Sequence, residues 1–191
     1  MRSEHMSSFS VTDTPLAGLK CITRHRLGDT RGFLSRMFCA EELATAGWHK
    51  PIAQINLTQT AQRGAIRGMH FQWLPHAEMK LVSCIRGEVW DVAVDLRVNS
   101  KTYLHWHAET LSAENGRALL IPEGFAHGFQ TLTTGCEMLY LHSAAYERAA
   151  EAGLRHDDPR LNIEWPLPLT ECSERDRAHP LLTDEFRGIA V

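Results

Sequence analysis

The stretch GRALLIPEGFAHGF, from Gly116 to Phe129, places a Pro–Glu–Gly corner between two runs of apolar residues. Proline and glycine favour a tight turn between two strands at such a corner. His127 would then lie on the second strand and face the interior of a sandwich or barrel. Taken alone, the pattern is more typical of an ordinary hairpin with a hydrogen-bonded core histidine. The sequence around it decides between these interpretations.

Short apolar or alternating runs extend on both sides of this corner, from Ile52 to Tyr146. Gly, Asn, Ser and Pro separate the runs and interrupt regular structure. Many short strands at close spacing predict an all-β sandwich or barrel. Helices are expected only at the periphery, in AEELATAG at 40–47 and in the segment from Ser173 to Ala178.

The 191 residues, 43% of them hydrophobic, are enough to bury one substantial core. We therefore expect a single domain over residues 1–191, with a core at about 18–168 and a C-terminal covering segment at 169–191. Five cysteines are scattered without a CxxC pair, which disfavours a disulfide framework or a structural zinc site.

The formal net charge of −3 comes from interspersed acidic and basic residues. No basic field marks the chain as a nucleic-acid or membrane-surface binder. The polar N-terminal segment at 1–18 has neither the apolar core of a signal peptide nor an Arg-rich amphipathic pattern. A cytoplasmic location is the resulting expectation.

Strand alternation predicts which side chains share a face. In EMLYLHS, the side chains of Met138, Tyr140 and His142 should point one way. Arg67 and His70 are three residues apart and would face oppositely on a regular strand. A β-bulge at the intervening Gly68 would bring both to one side, and we predict one there.

A series of motifs occurs in a characteristic order: IRGMHFQ at 66–72, KLVSCIRGEVWDVAVDLR at 80–97, LSAENGRALLIPEGFAHGF at 111–129, LY at 139–140, DDP at 157–159 and SERD at 173–176. Gly116, Pro122, Gly124 and His127 fit the second motif of the cupins. Over roughly residues 31–182 the chain resembles the dTDP-4-dehydrorhamnose 3,5-epimerases.

The resemblance implies a cupin-type jelly roll with a few short helices, assembled as a homodimer. It implies no metal or other cofactor. The reaction implied is inversion of C3 and C5 in a dTDP-linked 4-keto-6-deoxyhexose through an enolate, as a step of deoxysugar biosynthesis.

Four residues match the catalytic positions of that family. His70 matches the base, for which a neutral imidazole is well suited near pH 7. Asp176 matches the carboxylate that holds the tautomer of this histidine. Tyr140 matches the acid, whose phenol can donate a proton from the opposite side of the sugar. Lys80 matches the residue at the keto oxygen, where an ammonium stabilises the enolate.

The resemblance also implies contacts with the nucleotide sugar, with arginines suited to the pyrophosphate by their forked donors. The implied binding residues are Arg31, Gln54, Asn56, Arg67, His127, Glu151 and Arg175.

Several positions depart from the family pattern. Ala145 and Tyr146 stand where many relatives carry two tyrosines, and Arg36 stands where glutamate is frequent. Arg175 replaces a usual lysine, and Leu141 stands where lysine or glutamine is frequent. These departures leave open an epimerase that inverts a single carbon of a different nucleotide deoxysugar.

Two other classes remain as alternatives. His105 and His107 form an HxH which, with His70, His76 and His127, could indicate a metal-dependent cupin oxygenase. The ammonium of Lys80 would repel a cation there. A non-catalytic sugar-binding cupin is the second alternative.

Overall fold

The computed structural model describes residues 7–191, and within them the strands outnumber the helices by far. The strands in chain order are β1 (Phe9–Asp13), β2 (Lys20–Arg24), β3 (Arg26–Asp29), β4 (Gly32–Ser35), β5 (Gln54–Thr60), β6 (Ile66–Gln72), β7 (Lys80–Arg86), β8 (Glu88–Asp95), β9 (Trp106–Ser112), β10 (Arg117–Ile121), β11 (Phe125–Thr131), β12 (Cys136–His142) and β13 (Glu151–Gly153). The helices are α1 (Ala40–Ala44) and α2 (Glu174–Arg177). The all-β prediction is confirmed.

Two antiparallel sheets pack face to face. One has six strands in the order β1-β2-β10-β7-β12-β5, and the other has five in the order β13-β6-β11-β8-β9. β3 and β4 form a separate hairpin. Neighbours in the sheets are often distant in the chain, which is the crossed connectivity of a jelly roll.

The core between the sheets is apolar at one end of the sandwich. Val82 and Leu119 of the six-stranded sheet pack with Val89, Ala93 and Phe129 of the five-stranded sheet. In β8, Ala93 faces this core while Val92 and Val94 face the opposite side, as strand alternation requires. A sandwich closed at one end leaves space for a cavity at the other.

Each sheet is also covered on its outer face. The segment around α1 contributes Leu43 and Trp48 to a cluster on the six-stranded sheet. On the five-stranded sheet the cover includes Leu161, Ile163 and Leu182. The proline-containing stretch before residue 169 therefore takes part in this cover, because it lays apolar side chains on the sheet.

Both predicted helices form, but each is shorter than its sequence pattern. α2 begins after Ser173, whose hydroxyl accepts a hydrogen bond from the backbone N–H of Asp176 at 3.0 Å. This is an ordinary N-cap contact. Neither helix of the described residues is long or apolar enough to cross a membrane. Residues 1–6 of the polar N-terminal segment lie outside the described part.

The predicted bulge at Gly68 is confirmed. In the pairing of β6 with β11, His70 lies opposite His127 and Arg67 lies opposite Phe129, so Gly68 and Met69 together oppose Gly128. Gly68 has φ +125°, and a Cβ on it would lie 2.5 Å from the Cα of Gly128. Only glycine permits this approach. As a result Arg67 and His70 line the same cavity.

Candidate active site

A cavity of about 490 Å³ lies between the two sheets. β6 and β11 form one wall, and β5, β7 and β12 form the other. Residues of β13 and α2 complete the rim. The Pro122–Gly124 corner leads into β11 as predicted, and His127 faces this cavity.

His70 and Asp176 form a hydrogen-bonded pair at one wall. The Nε2 atom of His70 lies 2.8 Å from Oδ1 of Asp176. The other carboxylate oxygen accepts a hydrogen bond from the backbone N–H of Gly68 at 3.2 Å. Because an ionised carboxylate only accepts, the proton of a neutral His70 belongs on Nε2 and its Nδ1 keeps a free lone pair.

The carboxylate of Asp176 stays ionised in this setting. Burial acts to raise its pKa, but the hydrogen bond and charge of His70, with the Gly68 N–H and the Ser173 hydroxyl, lower it to about 2. Charge-assisted contacts therefore outweigh the loss of solvation. At neutral pH the site therefore holds a negative charge behind His70.

Tyr140 lies on β12 in the opposite sheet from His70 and lines the same cavity. Its hydroxyl accepts a hydrogen bond from Thr58 at 3.4 Å. Burial raises the pKa of Tyr140 well above its usual value. The phenol thus keeps its proton at neutral pH and is available as a donor.

Lys80 is 7% exposed and lines the cavity at the start of β7. Its Nζ atom lies 3.1 Å from Oε1 of Glu78 and donates to the backbone carbonyl of His70 at 3.5 Å. A buried ammonium needs such partners to remain charged. The geometry places a cation near the proposed base.

The rim of the cavity carries paired charges. Arg175 lies 3.0 Å from Glu151, which also accepts a hydrogen bond from the hydroxyl of Tyr146 at 2.8 Å. Arg67 is anchored by Thr60 through its Nε at 2.7 Å. The other guanidinium N–H groups of Arg67 and Arg175 can donate to an anionic ligand.

The other predicted binding residues differ in position. His127 lines the cavity with Asp91 behind it, 2.9 Å from its Nε2, and Asn56 lines the facing wall. Gln54 lies behind Asn56 and donates to its Oδ1 at 3.1 Å. Arg31 lies outside the cavity, on the β3–β4 hairpin, where it pairs with Asp29 at 2.5 Å. Arg31 therefore does not reach the cavity of its own chain.

Six polar lining residues were not among the predicted site residues: Thr58, Gln72, Glu78, His142, Tyr146 and Ser173. Strand alternation had placed His142 on the same face as Tyr140, so its position could have been inferred from the sequence. Glu78 precedes β7, and no regular alternation reaches it. Its signal is an acidic residue two positions before the lysine.

The histidines of the metal-dependent alternative are dispersed. Within residues 7–191, His70 and His127 line the cavity, whereas His76, His105 and His107 do not. A different group, His70, Asp176 and His179, has ligand atoms within 4.8 Å of one another and could hold a metal ion. The Nε atom of Arg175 lies 3.9 Å from the same Asp176 oxygen and would oppose a cation.

Comparison with known proteins gives the family. The family model for dTDP-4-dehydrorhamnose 3,5-epimerase matches residues 13–184. The chain belongs to the dTDP-4-dehydrorhamnose 3,5-epimerase family. A family member from Sinorhizobium fredii with this name is 41% identical over 175 residues, which cover 88% of this chain and 87% of the relative.

Other relatives of this family show its range. A dTDP-4-dehydrorhamnose 3-epimerase from Streptomyces niveus is 37% identical over 170 residues, or 88% of this chain and 82% of the relative. The crystal structure of dTDP-6-deoxy-D-glucose-3,5-epimerase from Legionella pneumophila in complex with dTDP-4-keto-L-rhamnose has a TM-score of 0.89 and 35% identity, covering 96% of this chain and 98% of the other. The cupin-type jelly roll implied by the sequence is confirmed.

Proposed function

We propose that this protein is a metal-independent isomerase that inverts C3 and C5 of a dTDP-linked 4-keto-6-deoxyhexose through an enolate. One observation carries the proposal: His70, backed by Asp176, and Tyr140 belong to different sheets and line opposite walls of one cavity. Removal of a proton from one face and its return to the other is what inversion requires. The family relationship supports the nucleotide sugar as substrate.

The first half of the reaction is assigned to His70. The 4-keto group acidifies the hydrogens at both neighbouring carbons, so a neutral imidazole can remove one of them. The free lone pair on Nδ1 accepts this proton, while Nε2–H remains bonded to Asp176. The carboxylate then stabilises the resulting imidazolium.

The second half is assigned to Tyr140 and Lys80. The ammonium of Lys80 faces the oxygen on which the enolate charge develops, where a fixed cation has its largest effect. Tyr140 donates its phenolic proton to the carbon from the opposite face. The sugar is then inverted at that carbon. Proton exchange with water returns His70 to the neutral imidazole and Tyr140 to the phenol, the sequence repeats at the second carbon, and the product leaves.

Binding of the nucleotide is assigned to the polar residues at and behind the cavity walls. Arg67 and Arg175 have the forked donors that suit a pyrophosphate. The remaining contacts are assigned to Gln54, Asn56, His127 and Glu151.

A homodimer is part of the proposal. β5 is an edge strand of the six-stranded sheet, and its outward residues Ile55 and Leu57 are each 60% exposed. Pairing with a second copy would cover this edge and its apolar side chains. Arg31 could then reach nucleotide only in the cavity of the other copy, since its own chain leaves it outside. We also propose a cytoplasmic location and a role in deoxysugar biosynthesis.

Inversion of one carbon is the second candidate. It is supported by the 37% identical 3-epimerase from Streptomyces niveus. Ala145 also stands beside the cavity residue Tyr146 in place of a second aromatic ring. A wider sugar pocket would change which ring carbon reaches His70.

Proton NMR of the dTDP-4-keto-6-deoxyglucose substrate in deuterated water tests both candidates. We expect deuterium to enter C3 and C5 as the product forms. Exchange confined to one carbon selects the single-carbon epimerase. Binding of the nucleotide sugar without any exchange contradicts both and selects a binding module.

A further inference from the structure

Glu78 connects two side chains of the cavity that the proposed mechanism treats separately. Its Oε1 lies 3.1 Å from Nζ of Lys80, and its Oε2 lies 2.8 Å from Nδ1 of His142. All three side chains line the cavity, with Lys80 buried and Glu78 and His142 only slightly exposed. The carboxylate thus uses one oxygen for each partner.

His142 extends this connection along the wall. Because Glu78 is an acceptor, Nδ1 of a neutral His142 carries the proton and Nε2 is an acceptor. Asn56 is positioned to donate to that nitrogen at 3.4 Å, while Gln54 donates to Oδ1 of Asn56 at 3.1 Å. A continuous chain of polar contacts therefore runs from Gln54 to Lys80.

The charges favour the same arrangement. Burial raises the pKa of Glu78, but the hydrogen bond from His142 and the charge of Lys80 hold it below the ordinary value. An ionised carboxylate next to the ammonium compensates its charge inside the cavity. The ring of His142 is also stacked on Tyr140, with centroids 6.0 Å apart and an interplanar angle of 21°.

We propose that Glu78 and His142 are positioning residues of the epimerase: Glu78 fixes the ammonium of Lys80 at the place where the enolate oxygen forms, and His142 fixes Glu78. The inference rests on the proposed function. A lysine has a long, flexible stem, so its catalytic effect depends on a partner that holds the ammonium in one place before the charge develops.

The chain contains a matched control for Glu78. Glu109 also accepts from a histidine and a cation, with Nε2 of His107 at 2.9 Å and a guanidinium nitrogen of Arg117 at 3.2 Å. Within residues 7–191, this second triad does not line the cavity. Glu109→Gln therefore removes the same chemistry at a place where the proposal expects no effect on the reaction.

Steady-state kinetics with dTDP-4-keto-6-deoxyglucose compare Glu78→Gln with Glu109→Gln. A neutral glutamine amide has only one acceptor oxygen, so it cannot bind both Lys80 and His142 as the Glu78 carboxylate does. The ammonium of Lys80 would then be held less firmly at the enolate oxygen. We therefore expect kcat of Glu78→Gln to fall about tenfold or more. KM and the affinity for dTDP should stay within about twofold of the unmodified protein, because binding contacts are retained. Glu109→Gln should keep its kcat.

His142 provides an independent pair of variants. Asparagine and leucine have similar volumes, but only asparagine can place an N–H near the position of Nδ1. We expect His142→Asn to retain several times more kcat than His142→Leu, with equal dTDP affinity. A role in packing alone would give the two variants equal kcat.

Failure of this inference can be distinguished from failure of the proposed function. If the unmodified protein does not exchange substrate hydrogens with solvent, the proposed function fails. If it does, but Glu78→Gln matches Glu109→Gln in kcat or changes only KM, the positioning role is overturned. Equal dTDP affinity in all variants verifies that each is folded around the cavity.

Discussion

The Nε2 atom of His70 and the Oδ1 atom of Asp176 lie 2.8 Å apart although 106 positions separate them in the chain. His70 belongs to a sheet, whereas Asp176 comes from the short helix α2 outside both sheets. The contact sets which nitrogen of His70 is free. The proposed base chemistry of His70 thus involves a residue that neither sheet supplies.

Replacement of His70 by asparagine should abolish hydrogen exchange at both sugar carbons. Loss of a general base lowers rates by about 10²- to 10⁴-fold, and no other neutral imidazole is assigned to this step. Solvent deuterium incorporation, followed by NMR, measures the effect. Retained dTDP affinity serves as the folding control, and exchange at the unmodified rate would remove His70 from its role.

Tyr140→Phe should separate proton removal from inversion. The variant keeps the ring but lacks the phenolic proton, so His70 can still form the enolate while delivery to the opposite face is lost. We expect deuterium to wash into the substrate faster than product accumulates. Unchanged epimerisation in this variant would refute the assignment of Tyr140 as the acid.

The stability of the protein should fall in acid partly through Asp176. Its pKa is about 2 in the folded protein against an ordinary 3.8, so the unfolded chain takes up a proton first as the pH falls. The stabilisation is fully present above about pH 4 and is lost as the pH falls through the folded pKa, with a magnitude of about 2 kcal/mol.

Urea unfolding as a function of pH measures this contribution. Asp176→Asn should be less stable than the unmodified protein at pH 6, and the difference should shrink as the pH approaches 2. Burial raises the pKa of Asp95, but its contacts with Arg97, Ser100 and Thr102 lower it to about 2. Asp95 should therefore keep part of the acid sensitivity in the Asp176→Asn variant. A pH-independent difference would contradict the assigned shift.

Gly68→Ala should both destabilise the protein and reduce its activity. The added Cβ would lie 2.5 Å from the Cα of Gly128, so β6 and β11 must separate at the bulge that orients Arg67 and His70. Gly47→Ala is the matched control, because Gly47 has φ +113° but no atom within 4 Å of an added Cβ.

Thermal unfolding and epimerase kinetics compare the two glycine variants. Both incur the cost of a positive φ, and only Gly68→Ala adds a steric clash, worth roughly 1–3 kcal/mol. We expect Gly68→Ala to be less stable than Gly47→Ala and to have a lower kcat, whereas Gly47→Ala should keep the kcat of the unmodified protein. Equal behaviour of the two variants would mean that the bulge does not need this close approach.

Ile55→Asp should convert the proposed dimer to a monomer. A charge on the outward face of the edge strand β5 opposes burial against a second copy. Sedimentation velocity measures the mass, and Thr45→Asp on the exposed surface beside α1 is a charge-matched control. A monomeric unmodified protein would contradict the proposed assembly.

Much of the site was predictable because strand alternation and the Pro122–Gly124 corner are local signals. The alternation placed Tyr140 correctly, and Gly68 revealed the bulge. Lys80 was assigned through the resemblance to the epimerase family. The alternation, the corner and the bulge depend only on residues that are close in sequence, so the sequence alone is sufficient to predict them.

Other features depend on contacts between distant segments. The proposed role of Glu78 depends on its contact with His142, which lies 64 positions away in the chain. No sequence pattern connects these two residues. The position of Arg31 could not be predicted from the sequence either. It lies in a hairpin outside the two sheets, and the sequence does not determine whether such a hairpin packs on its own chain or on a second copy.

The placement of Asp176 on α2 has a consequence for synthesis on the ribosome. Chains emerge from the N-terminal end, so every strand of both sheets leaves the exit tunnel before this carboxylate does. A nascent sandwich can assemble its imidazole and its phenol while the partner of the imidazole is still being translated. On the proposed mechanism, we expect full activity only after the tail docks, and lower activity in copies that terminate before Asp176.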